Sequence, residues 1–316
     1  VGDVTGEVAG SLSSRSLEAG SVLPFVPDLD LLRTRLAEPA RVLRLADGRA
    51  VGLIEVGDPD GSPVVWFHGS PSCRLEALLG EAYFRAHRWR VIALDRPGIG
   101  ASSFLRAPLV QHAEDVAAIM DALGHARFGV VGGSGGGPYV LASARVLGPR
   151  LTGAVCIAPG GVLDGHATVA SWIDRAGAAL ASHAPAVLGA YFRLMQVFAA
   201  TPAWLAKPIA AILGGEEGKT FAEPAVLALM PALLRESLAQ GARGAVEDYR
   251  RMGVPWGFAV EDIDFPVDFV HGRVDAFVPL AQTARFAKLT RHARLRVLDG
   301  KGHLGAIFAL DQHAPF

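Results

Sequence analysis

Short, fully apolar runs alternate with helical stretches along most of this chain, and that alternation restricts the fold more than any other feature. Val64 to His68, Val91 to Leu94, Phe128 to Val131 and Leu151 to Ile157 each read as a strand. Helical patterns separate them at Glu76 to His87, Gln111 to Leu123 and Pro138 to Leu147. Strands that are apolar at every position, not every second one, have both faces buried. That is the mark of a mostly parallel sheet between two helical layers. Upstream, Arg41 to Ala46 and Val51 to Val56 flank Asp47-Gly48, the pattern of a hairpin that adds an antiparallel edge. The rhythm stops after Gly160, where an Ala/Leu-rich helical stretch broken by prolines runs to Ala259. It resumes with a strand at Pro266 to His271, a helix at Leu280 to Leu289, a strand at Leu295 to Leu298 and a helix after His303. The expectation is one α/β domain, residues 39–159 and 260–316, with a helical insertion at 160–259 and an N-terminal extension at 1–38. An insertion placed after the carboxyl end of a strand lies over the mouth where open α/β sheets bind ligands.

Composition narrows the function classes. Charged residues make up 19% of the chain and nearly balance, with a formal net charge of −1 and no basic tract, which argues against nucleic acid as a partner. Cys73 and Cys156 lie far apart without metal-ligand spacing. Val1 to Gly20 is polar and small and lacks the apolar centre of a signal peptide, so a reduced, cytoplasmic setting is expected. The uncharged stretch between Arg175 and Arg193, which no other exceeds in length, contains His183 and Pro185 and falls short of a membrane span.

The loop after Phe128–Val131 reads Gly132-Gly133-Ser134-Gly135-Gly136. Strand, Gly-x-Ser-x-Gly, helix describes a strained turn that pushes one hydroxyl out at the carboxyl end of a sheet. The phosphate-binding alternatives fit poorly. A Walker loop ends in Gly-Lys-Ser/Thr, and a dinucleotide fingerprint starting at Gly133 needs glycine where Pro138 stands. Ser134 is therefore the candidate nucleophile, and a hydroxyl needs a base with an orienting acid.

Among ten histidines, His303 lies in the glycine-rich loop Gly300-Lys301-Gly302-His303, after the last strand and before a helix. His68 and His271 precede glycines at strand ends and read as loop-shaping residues; His87, His112, His125 and His292 read as solvent-facing. The acid is expected at a strand end between Ser134 and His303, and Asp275 stands there; Asp264 precedes that strand, Asp268 lies inside it, and Asp95 reads as shaping its own loop. An oxyanion hole needs two N–H donors, one from the residue after the nucleophile, Gly135, and one from an earlier strand's loop. In His68-Gly69-Ser70-Pro71, proline has no N–H, which leaves Ser70.

Four motifs in order, His68-Gly69-Ser70-Pro71, Asp95 to Ser102, Gly132 to Gly136, and Gly272-Arg273-Val274-Asp275 with Gly302-His303, make residues 40 to 310 resemble the α/β-hydrolase superfamily. The resemblance implies an eight-stranded sheet with strand 2 antiparallel, a helical cap at about 160–260, and a serine–aspartate–histidine triad needing no metal or organic cofactor. Serine at 134 argues against the dehalogenase and epoxide-hydrolase branches, which use aspartate there. Gly133 departs from the pattern, since many members carry a larger residue before the nucleophile. Proline iminopeptidases typically carry tryptophan after the serine, where this chain has Gly135, so a peptidase ranks low. The expected activity is hydrolysis of a small to medium, largely apolar ester or lactone through an acyl-enzyme. A small-molecule receptor on the same scaffold and a secondary-metabolism tailoring enzyme are the alternatives. Trp172, Tyr191, Phe192, Phe198, Trp204, Phe221 and Trp256 are candidates for lining the pocket or for packing among the insertion's helices, and an apolar cap surface could also form a homodimer or touch a membrane surface.

Overall fold

In the computed structural model, the described residues are 29–162, 170–199, 214–307 and 309. Most of the N-terminal extension, together with Phe198's side chain and Trp204, lies outside them. Eight strands form one sheet: β1 (Arg41–Arg44), β2 (Ala50–Gly57), β3 (Ser62–Phe67), β4 (Trp89–Leu94), β5 (Phe128–Gly133), β6 (Leu151–Ile157), β7 (Val267–Gly272) and β8 (Ala293–Leu298). Their spatial order is β1-β2-β4-β3-β5-β6-β7-β8. β2 runs antiparallel to both of its neighbours, and every pairing from β4 onward is parallel. The hairpin registers Arg44 opposite Ala50 across Asp47-Gly48.

The central strands divide their side chains between two cores. Val64 and Trp66 of β3 face one side; Val65 and Phe67 face the other. This is the period-two alternation of a strand, with both faces apolar because both are covered. One face is covered by α3 (Leu109–Ala122), α4 (Gly137–Leu147) and α10 (Leu280–Leu289). The other receives α1 (Leu29–Leu36), a 3₁₀ turn at Arg74–Gly80 and α2 (Glu81–Ala86). The expected helix from Glu76 to His87 is thus a tight turn followed by a short helix. His112 also departs from expectation. It is buried against Tyr139, with ring centroids 5.4 Å apart, because it shares the inner face of α3 with Leu109 and Val116, three residues before and four after.

Between β6 and β7 come α5 (Trp172–His183), α6 (Pro185–Ala199), α7 (Gly215–Phe221), α8 (Pro224–Ser237) and α9 (Arg243–Met252). α5 packs on α6 and α9, α8 packs on α6 and against the Arg74–Gly80 turn, and α7 rests on the last helix, α11 (His303–Ile307). Leu188, Leu229 and Leu233 continue the core on the Trp66 side of the sheet. Of the aromatic candidates, Phe192 and Trp256 are buried in packing contacts, with Trp256 stacked on Phe286, while Trp172 and Tyr191 face outward. No helix among the described residues is long and apolar enough to cross a membrane.

Candidate active site

Ser134 follows the last residue of β5, a strand at the centre of the sheet, and precedes α4. It adopts φ = 51°, in the left-handed region that a non-glycine residue rarely enters. The turn is tight enough that a side chain at Gly136 would collide with the Phe67 carbonyl. A Cβ at Gly133 would sit 3.0 Å from Ile307 of α11. The small residue before the serine thus matches the bulk that the terminal helix puts there.

His303 opens α11, and its Nδ1 lies 2.7 Å from Asp275 Oδ2. Asp275 sits in the loop after β7, and its Oδ1 accepts the N–H groups of Phe277 and Val278, both at 2.8 Å. Burial pushes the Asp275 carboxyl up, but the hydrogen bond and charge of His303, with those two amides, hold it below the usual carboxylate range. For His303, burial alone would lower the pKa. The Asp275 hydrogen bond and charge, followed by Glu217 and Asp174, outweigh burial and raise it. Asp264 and Asp268 take no part. Asp264 is exposed beside His292 at 3.4 Å, and Asp268 points toward Arg294 at 3.9 Å. His271 stays structural, with Nδ1 on Thr283 Oγ1 at 2.8 Å and Nε2 on the Val278 carbonyl at 3.1 Å.

The loop after β3 faces Ser134 from the other side. The Gly69 N–H is taken by both oxygens of Glu76, at 3.2 and 3.0 Å, whereas the Ser70 N–H makes no hydrogen bond among the described residues. A side chain on Gly135 would collide with Ser70 Oγ, so glycine is what allows the two candidate donor residues to meet.

Behind Ser70 lies a buried ionic network that the sequence did not disclose. The Ser70 hydroxyl donates to Asp248 Oδ2 of α9 and accepts from Arg96 Nη2 at 2.7 Å. Arg96 also donates to Asp248 at 2.6 Å and to the carbonyls of His68 and Gly69. Asp248 Oδ1 accepts from the Tyr139 hydroxyl at 2.7 Å, and that hydroxyl accepts from Arg251 at 2.8 Å. Burial opposes ionisation of Asp248, yet Arg96 and Arg251 prevail and hold its pKa at about 2. Asp95 ties the next loop together through the Arg74 backbone and guanidinium at 2.9 and 2.5 Å and the Ala101 N–H at 2.9 Å. On the base side, Glu217 of α7 accepts the N–H of His303 and, at 3.5 Å, that of Ala276. Its second carboxylate oxygen is buried with no hydrogen-bond partner among the described residues. One sequence signal was available for Asp248: four charges, Glu247, Asp248, Arg250 and Arg251, crowd five consecutive positions of the Ala/Leu-rich insertion.

Ser134, His303 and Ser70 line one cavity of about 290 Å³, walled mainly by apolar side chains such as Leu79, Met195, Phe221 and Leu233. Ser134 and His303 face the same space without a hydrogen bond joining them. Among the described residues no group of three or more His, Cys, Asp or Glu side chains is arranged to hold a metal ion.

A family model described as the alpha/beta hydrolase fold matches residues 62–197. Several solved structures share the fold. An esterase from Exiguobacterium antarcticum superposes with a TM-score of 0.62 at 16% identity, covering 84% of this chain and 92% of that one. An enol-lactonase from Burkholderia xenovorans LB400 gives 0.61 at 18%, covering 86% and 95%. A hydrolase from Pseudomonas aeruginosa PA01 gives 0.59 at 22%, covering 86% and 94%. No curated protein matches the chain by sequence. The sheet order, the family match and these superpositions together show that this chain has the alpha/beta hydrolase fold.

Proposed function

We propose that this protein is a serine hydrolase of small to medium, largely apolar esters or lactones. The observation that carries the reading is the convergence on one apolar cavity of a serine in a left-handed turn and a histidine bonded to a buried aspartate. With His303 Nδ1 carrying the proton shared with Asp275, Nε2 is left as the base. His303 takes the Ser134 proton as Oγ attacks the carbonyl carbon, and the carbonyl π electrons move onto oxygen. The Ser70 and Gly135 N–H groups stabilise that oxyanion. Collapse expels the alcohol oxygen, which takes the proton from His303. Water then repeats the attack on the acyl-enzyme, releasing the acid and restoring Ser134. Residues 160–259 serve as a cap over the core, and described side chains among them, such as Met195, Phe221 and Leu233, supply much of the apolar wall. Esterase and lactonase activities among proteins of the same fold agree with this class.

A fluorophosphonate probe is expected to label Ser134, with labelling lost in Ser134→Ala and strongly reduced in His303→Ala. Absence of labelling together with full activity of Ser134→Ala on an ester and lactone panel would overturn the reading.

A further inference from the structure

The cavity holds one carboxylate, Asp174, that hydrogen-bonds to neither Ser134 nor His303 and enters the proposed chemistry only through its field on the base. Asp174 stands in the first turn of α5, and its Oδ2 accepts the Gly161 N–H at 2.9 Å and Gln282 Nε2 at 3.1 Å. Gln282 is itself fixed. Its amide nitrogen also reaches the Pro159 and Gly161 carbonyls at 2.9 and 3.1 Å, and its oxygen accepts the Ser171 N–H at 2.6 Å. Asp174 is therefore held on a rigid frame with one oxygen engaged. Oδ1 accepts no hydrogen bond among the described residues, and the residue forms part of the cavity wall.

Gly160 measures how near this carboxylate lies to the reacting centre. A Cβ built there would be 3.4 Å from Asp174 Oδ2, 3.4 Å from the Gly135 amide nitrogen and 3.4 Å from the Ser134 carbonyl carbon. The carboxylate and a candidate oxyanion donor thus flank the same gap.

The electrostatic consequence is specific. The cavity's other carboxylate, Glu76, already accepts from Trp66 Nε1 at 3.1 Å and from the Gly69 N–H. No lysine or arginine is among the described residues lining the cavity. An ionised Asp174 would oppose a developing oxyanion nearby, and a ligand carboxylate would add a second like charge, with only the His303 imidazolium formed during the reaction to meet it. A ligand cation against Oδ1 removes both problems. Burial already holds the Asp174 carboxyl above its usual range, a cost that a bound cation would offset.

We infer that Asp174 is a specificity-determining residue that selects substrates carrying an ammonium-type group near the scissile carbonyl and rejects those carrying a carboxylate. This rests on the serine-hydrolase reading above, and two independent measurements separate the two.

The first is turnover. The p-nitrophenyl ester of 4-(trimethylammonio)butyrate is compared with its neutral isostere, the 5,5-dimethylhexanoate ester. A preference of about tenfold or more in kcat/KM for the cationic ester is expected, falling to near parity in Asp174→Asn. The asparagine keeps an acceptor for Gly161 and Gln282; Asp174→Ser is the second neutral variant if the first does not fold.

The second needs no turnover. Hexylammonium and hexanoate are titrated calorimetrically into Ser134→Ala and into Ser134→Ala/Asp174→Asn. Hexylammonium is expected to bind more tightly in the first and to lose that advantage in the second. A cation preference unchanged by either neutral variant, or tighter binding of hexanoate, overturns the inference. An Asp174-dependent ammonium preference in an enzyme that turns over no ester supports the inference while counting against the hydrolase reading.

Discussion

Two buried aspartates flank Ser134, and the protein holds their charges in opposite ways. Asp275 faces two neutral backbone donors and two imidazoles, His303 at 2.7 Å and His271 at 3.7 Å. Asp248 lies near two guanidinium groups, Arg96 at 2.6 Å and Arg251 at 3.7 Å, and also accepts from Ser70 and Tyr139. Arginine does not give up its proton in a protein, whereas histidine does so near neutrality. The Asp275 side is thus built around a proton that can move, and the Asp248 side around charges that cannot. The difference follows from the proposed tasks. A base must change charge during each half-reaction, while an oxyanion donor works only if it is already in place.

The sharpest way to break this comparison is to disable the mobile-proton side alone. Asp275→Asn keeps the shape and removes the charge that fixes the imidazole tautomer, so kcat is expected to fall by about ten-thousand-fold. Thermal melting should move little, since the asparagine oxygen can still accept from Phe277 and Val278. Steady-state kinetics beside a melting curve checks this; a variant that loses stability but keeps kcat would show Asp275 to be structural.

The fixed-charge side should respond in the opposite proportion. Asp248→Ala leaves Arg96 and Arg251 buried without their carboxylate, and stranding buried charges costs about 3–5 kcal/mol. The rate should also drop, by roughly a hundredfold, as Ser70 loses its anchor. The pH dependence has a definite sign. Asp248 has its pKa lowered in the fold, to about 2, so its contribution to stability is complete above the unfolded carboxylate pKa and is lost as pH falls from there toward about 2. Urea unfolding at pH 7 and at about pH 3, inside that window, should therefore show a gap between wild type and variant that narrows with acid. A gap of constant size would mean that Asp248 does not act through its charge.

How much of this was legible in the sequence depends on range. The strands showed because each is a local apolar run, and Ser134 showed because its turn needs glycines within two residues of it. Asp275 and His303 could be nominated because strand ends impose an order on the loops that follow. Asp248 could not be tied to Ser70, because 178 positions separate them and no local pattern encodes the meeting. Asp174 and Glu217 were hidden for the same reason: Asp174 is the one acid of its helix and Glu217 is one of an adjacent pair, and neither has a visible partner until the chain folds back. His112 was misread from its polar neighbours, although its spacing from Leu109 and Val116 already put it on the buried face of α3. The aromatic residues misled in another way. Bulk alone does not say whether a ring packs inward like Phe192, outward like Tyr191, or into the cavity like Phe221.

Glu217 gives the finest test, because it belongs to the mobile-proton side yet lies outside the triad. Its carboxylate accepts the His303 and Ala276 N–H groups, which positions the base and the loop of its acid from a helix of the insertion. Glu217→Gln keeps an acceptor and removes the negative charge, so kcat should fall by only about three- to tenfold. The pH profile carries the discrimination. His303 must be neutral to accept the serine proton, and Glu217 is one of the groups that raise its pKa. Removing that charge lowers the pKa, so the acid limb of kcat/KM should move to lower pH while the plateau drops. A purely structural role would lower the plateau and leave the limb where it was. Glu217→Ala, which also removes the acceptor, should lower the plateau further than Glu217→Gln with a similar movement of the limb. If both variants keep the wild-type limb, the insertion does not tune the base, and the two sides of the cavity differ only in how rigidly they are built.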